Sequence, residues 1–150
     1  MSKEQGQGMS VIVQTVARLT VGFILLFGIY IFSHGHMSPG GGFAGGIIIA
    51  LSFINLMLAY GKDTALTKLP RGVTGFFENL GALLFLSIAL LGFAGGYFFL
   101  NFISKGQPFH LFSAGIIPLC NIAIALKVGA GVFAIFVAFV LLKFYPERKE

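Results

Sequence analysis

The chain has 150 residues, of which 57% are apolar and 10% charged, with a mean hydropathy of +0.93 and a formal net charge of +5. So few polar residues cannot clothe a soluble domain of this length, and the polar stretches are too short to build a separate one. The basic excess therefore reads as the charge asymmetry of a membrane protein and not as a nucleic-acid-binding surface. The single cysteine, Cys120, sits in an apolar run, can form no intrachain disulfide and reads as packing.

The first apolar segment covers 11–33, interrupted by Gln14, Thr15, Arg18 and Thr20 near its start. Lys3 and Arg18 would suit a signal peptide, but His34-Gly35-His36 follows where a small-residue cleavage site is needed, so the segment reads as a retained helix. Arg18 is then expected to snorkel to the near interface. The second segment covers 39–60, with Ser38 as N-cap and Pro39 at the first helical position. The third covers about 75–102 and places Glu78 in its first turn, where a carboxylate favours the helix dipole; cytoplasmic ion entry is the alternative role for Glu78. The fourth covers about 116–144. Each reaches the length of roughly 20 residues that spans a bilayer, and the absence of period-2 alternation argues against a barrel. The predicted fold is an all-α membrane protein with four transmembrane helices in a single domain, 1–150.

Orientation follows from the basic residues. Lys3, Arg18, Lys62, Lys68, Arg71, Lys143, Arg148 and Lys149 fall on one side, and Lys105 alone falls on the other. The asymmetry predicts that both termini are cytoplasmic. Tyr30, Tyr60, Tyr97 and Tyr145 all fall close to helix ends, as interfacial belt residues do.

The string from Gly35 to Gly46 is the most distinctive in the chain. Pro39, Gly41, Gly42, Gly45 and Gly46 read as a helix-packing motif, because the two small-xxx-small pairs admit a second backbone closely in lipid. The string also satisfies G-x-G-x-x-G at Gly40, Gly42 and Gly45, but a dinucleotide site needs a preceding strand and a soluble crevice. A helix N-terminus aimed at an anion or a partner carboxylate is the competing reading.

This string resembles a signature of the MnhB/MrpB family, small subunits of multisubunit Na+/H+ antiporters. The run Phe112 to Gly131 is similar to that family's second block, in the right order. The resemblance implies a four-helix subunit of a hetero-oligomeric complex exchanging cytoplasmic Na+ for protons. Its implied partners are other hydrophobic subunits and membrane lipid, in the cell membrane of a prokaryote. Related modules occur in membrane-bound hydrogenases and similar respiratory complexes, and the Asn121–Lys127 combination is closer to that branch.

Lys127 is the most costly residue of the sequence. It lies about eight residues, or about 12 Å, inside the fourth segment, where a charge needs a partner, a wet cavity or a lost proton. Glu78, assigned to the far interface, is expected to lie more than about 15 Å away. Lys127 therefore reads as a candidate for an ion or proton path, its partner supplied by another subunit or by water, with outward snorkelling as the alternative. Asn121 is expected to hydrogen-bond across helices. His34, His36 and His110 fall in the outer loops, where loop hydrogen bonding or subunit contact is favoured over a metal site, since no acidic or thiol ligand accompanies them. With no cysteine cluster, intramembrane histidine or nucleotide motif, no cofactor and no catalytic site are expected.

Overall fold

The computed structural model describes residues 9–61, 67, 70–103, 106 and 113–143, without the side chains of Arg71 and Lys143. His110, Lys105 and Tyr145 lie outside the described residues. Among those described, four α-helices are long and apolar enough to cross a membrane: α1 (Val11–Ser33), α2 (Gly41–Tyr60), α3 (Arg71–Leu91) and α4 (Ile117–Lys143). The chain is an all-α membrane protein, as its hydropathy predicts.

The helices pack as a row. α2 lies between α1 and α4, α4 carries α3 on its other side, and α1 touches α4 only slightly. Each seam closes at a glycine. A Cβ on Gly28 of α1 would stand 2.8 Å from Cγ1 of Ile49, and one on Gly45 of α2 would stand 2.8 Å from Cβ of Phe32. A Cβ on Gly46 would stand 2.9 Å from the carbonyl oxygen of Ala125, where α2 crosses α4. In lipid, where burial of apolar surface does not drive helices together, such close backbone approach supplies the dispersion contacts that do. The core of the α2–α4 seam is Ala50, Met57, Phe133 and Val137, with Phe53 edge-on to Phe133 at 6.0 Å.

Polar contacts tie the α1–α2 hairpin at several levels. The Met9 amide donates to the Ala59 carbonyl (2.9 Å), and the Tyr60 hydroxyl donates to the Gln14 carbonyl (3.1 Å). Asn55 donates to the Thr20 hydroxyl at 3.5 Å.

Two local expectations are corrected. Ser38 does not cap α2: its hydroxyl donates to the His34 carbonyl at 3.2 Å, closing the turn after α1. Pro39 also precedes the helix, which begins at Gly41 with Gly40 and Gly41 at φ values of 124° and 55°. These left-handed backbone positions suit glycine and take the chain sharply into α2. The third helix does not continue to 102. It ends at Leu91, passes through a 3₁₀ turn at Gly92–Gly95, and reverses at Gly96 with φ 107°. The Phe99 amide then donates back to the Ala89 carbonyl at 3.2 Å, with the Phe99 ring 5.3 Å from that of Phe85. Gly92, Gly95 and Gly96 end the helix although the residues between and after them stay apolar. Asn101 Oδ1 accepts from the Ile116 amide at 3.1 Å and holds the entry to α4.

Candidate functional site at the α3–α4 seam

Lys127 and Glu78 meet. Nζ of Lys127 lies 3.6 Å from Oε1 of Glu78, with the two side chains 52% and 40% exposed. Gly81 makes the approach possible, because a Cβ there would stand 2.7 Å from the backbone nitrogen of Lys127. Gly131, one turn beyond Lys127, leaves room for the carboxylate: its Cβ position lies 3.8 Å from Glu78 Oε1.

The expectation that Glu78 is too far away, and in a first turn, is therefore wrong on both counts. α3 begins at Arg71, behind Pro70 in extended conformation, so Glu78 stands seven residues, or about 10 Å, into the helix. The registers matter too. Gly81, ten residues into α3, lies opposite Lys127, ten residues into α4. Glu78, three residues before Gly81, therefore sits within about 5 Å of the level of Lys127 along the seam. Pro70 is the sequence signal that could have moved the helix start, since proline favours the entry to a helix.

The pair is an ion contact without a hydrogen bond, because charge-assisted hydrogen bonds between nitrogen and oxygen are about 2.7–2.9 Å long. No other partner of either side chain exists among the described residues. Two opposite charges at this depth cancel the net charge of the site, while each keeps unused hydrogen-bonding capacity in a region where lipid supplies none.

The remaining predicted residues lie elsewhere. His34 packs against Tyr30 with ring centroids 4.2 Å apart and the rings tilted by 34°, and its Nδ1 is 3.2 Å from the Tyr30 carbonyl; His36 lies in the same turn. Among the described residues, no three His, Cys, Asp or Glu side chains cluster so as to hold a metal. Gly42 and Gly46 lie against α4, and Gly45 lies against α1. Gly41 faces Asn121, which is buried and bridges the helices: its Oδ1 accepts from the Gly42 amide at 3.2 Å. A side chain from α4 thus supplies the cap that Ser38 does not, satisfying one orphan donor of α2 and adding negative partial charge at its N-terminus. Asn121 Nδ2 is buried with no hydrogen-bond partner among the described residues. Away from the ion pair, a lateral groove of about 350 Å³ runs between α1 and α3, lined by Leu25, Ile29, Phe77, Leu126 and other apolar residues, with Thr74 at one side.

Comparison with known proteins identifies the architecture. A family profile described as "Domain related to MnhB subunit of Na+/H+ antiporter" matches residues 12–134. The chain is 36% identical to a Na(+)/H(+) antiporter subunit of Bacillus subtilis, over 84% of each chain. It is 38% identical to an uncharacterized protein of Methanocaldococcus jannaschii, over 78% of this chain but only 45% of that one. Among solved structures, a chain of the membrane-bound sulfane sulfur reductase, an archaeal respiratory membrane complex, is similar with a TM-score of 0.74 and 34% identity. That match covers 93% of the present chain and 63% of the other. The arrangement of four membrane helices and the match over 12–134 show that this chain belongs to the family of domains related to the MnhB subunit of Na+/H+ antiporters.

Proposed function

We propose that the chain is a small integral-membrane subunit of a multisubunit Na+/H+ antiporter module, and that the Glu78–Lys127 pair is its ion- or proton-handling element. The observation that carries the reading is that pair, held 3.6 Å apart within two membrane-spanning segments. Ionisable side chains at such depth mark ion and proton paths because they are too costly to keep without use. The chemistry follows from charge balance. When a proton or Na+ neutralises Glu78, the ammonium of Lys127 loses its counter-charge, an interaction of a few kcal/mol at this distance even at an effective dielectric of about 20. Arrival of the cation is thereby coupled to displacement of the lysine charge toward another acceptor in the complex.

The excess of basic residues in the segments that precede α1, join α2 to α3 and follow α4 supports cytoplasmic termini by the positive-inside rule, with Glu78 on the inner side of Lys127. The chain then works in a prokaryotic cell membrane, beside other hydrophobic subunits and lipid, and contributes no catalytic chemistry of its own. A second reading is favoured by the similarity to the sulfane sulfur reductase chain: the same subunit within an ion-pumping respiratory oxidoreductase. Everted vesicles from a host lacking Na+/H+ exchangers provide the test, using the complex with and without this chain. Omission is expected to abolish the Na+-induced collapse of a preformed pH gradient, and full exchange without the chain would overturn the proposal. Iron–sulfur or hydrogenase-type subunits co-purifying with the tagged chain would select the second reading.

A further inference from the structure

The ion pair lies on a face of the row that lipid cannot complete. Beside Glu78, α3 presents Asn79, which is exposed and makes no hydrogen bond through its side chain among the described residues. One and two turns toward the start of α3 stand Gly75 and Gly72, and a Cβ built on either meets no described residue within 4 Å. At about 100° per residue, Gly72, Gly75, Asn79 and Ala82 share one stripe of α3, flanked by Glu78. None of Glu78, Asn79 and Lys127 lines the lateral groove. Among the described residues, this stripe therefore combines three features rarely left to lipid together: a half-exposed ion pair, a carboxamide without a side-chain partner and two glycines whose Cβ positions meet no neighbour. Intramembrane polar groups need hydrogen-bond partners, and small residues in a membrane helix serve close backbone approach.

We infer that the Gly72–Gly75–Asn79 stripe of α3, with the Glu78–Lys127 pair at its edge, is the docking surface for a transmembrane helix of another subunit. The helix it accepts carries neutral hydrogen-bonding side chains, of the serine, threonine, asparagine or glutamine type. Charge complementarity sets that choice. The pair is already balanced, so an added charge would be left uncompensated, whereas a neutral donor–acceptor group can serve the ammonium, the carboxylate and the Asn79 amide. The inference rests on the reading of the chain as a subunit of a complex, and it adds which face is used and what meets it.

The test compares two glycines, Gly75 and Gly22 of α1, whose Cβ positions both meet no described residue within 4 Å. In the tagged complex purified from membranes, Gly75→Leu is expected to lower the yield of associated subunits about tenfold, while Gly22→Leu leaves it unchanged. Wild-type association in Gly75→Leu overturns the docking surface. Independently of that variant's folding, a benzophenone amino acid replacing Asn79 in the assembled complex is expected to capture a co-purifying subunit. The adduct, mapped by mass spectrometry, should lie in a transmembrane segment within one turn of a neutral polar residue. Adducts with lipid alone, with a second copy of this chain, or with a segment bearing only apolar or charged residues there overturn the inference and leave the subunit reading standing. A wild-type chain that purifies with no other subunit overturns both.

Discussion

A double-mutant cycle on Glu78 and Lys127 measures how strongly the pair is coupled. Glu78→Gln leaves a lone ammonium within the span, Lys127→Met leaves a lone carboxylate, and the double variant leaves neither. At 3.6 Å, two unit charges interact by about 5 kcal/mol at an effective dielectric of about 20. Side chains that are 52% and 40% exposed in the isolated chain are partly screened by water and headgroups in a micelle. The surviving coupling is therefore expected to be about 1–3 kcal/mol. The assay is unfolding of the purified chain in mixed micelles by increasing SDS fraction, followed by far-UV circular dichroism. Each single variant should unfold at lower SDS than wild type, and the double variant should be more stable than the sum of the single losses implies. Additivity within about 0.5 kcal/mol would instead mean that the two side chains do not interact in the micelle.

Three further outcomes follow from the packing. Gly46→Val places side-chain atoms into the α4 backbone, where a Cβ already stands 2.9 Å from the Ala125 carbonyl oxygen. It should cost about 1–3 kcal/mol or abolish folding in the same assay, whereas Gly22→Ala should unfold like wild type. Asn121→Ala removes the acceptor of the Gly42 amide and should destabilise by about 0.5–2 kcal/mol, with faster amide exchange at Gly42. Tyr60→Phe deletes the hydroxyl bond to the Gln14 carbonyl and should cost about 0.5–1.5 kcal/mol. An unchanged midpoint would show that water or detergent replaces that bond at no loss.

Hydropathy located the four helices because lipid demands about 20 apolar residues in each, a signal that needs no knowledge of partners. The end of α3 was invisible to the same signal. Phe93, Ala94, Phe98 and Phe99 are as apolar as the helix before them, and the reversal runs through left-handed positions at Gly96 and Phe99. Lys127 was recognisable from cost alone. Its partner was not, because depth along a helix depends on where each helix starts, and Pro70 starts α3 a full turn earlier than its apolar residues suggest. The cap on α2 was hidden for a related reason. Ser38 has the right chemistry and local position, but the turn at Gly40 and Gly41 directs the helix toward Asn121, 79 residues beyond Gly42. Small-residue spacing announced close packing in the 41–46 segment, yet which glycine faces which neighbour emerges only from the order of the row.

On the proposed function, the paired charge in the membrane span handles ions for the complex. The most direct test is Na+/H+ exchange in everted vesicles that contain equal amounts of assembled complex with wild-type chain or with Lys127→Ala. Strongly reduced Na+-dependent dissipation of the pH gradient is expected in the variant, with every subunit still co-purifying. Exchange at the wild-type rate in the intact Lys127→Ala complex would contradict that function.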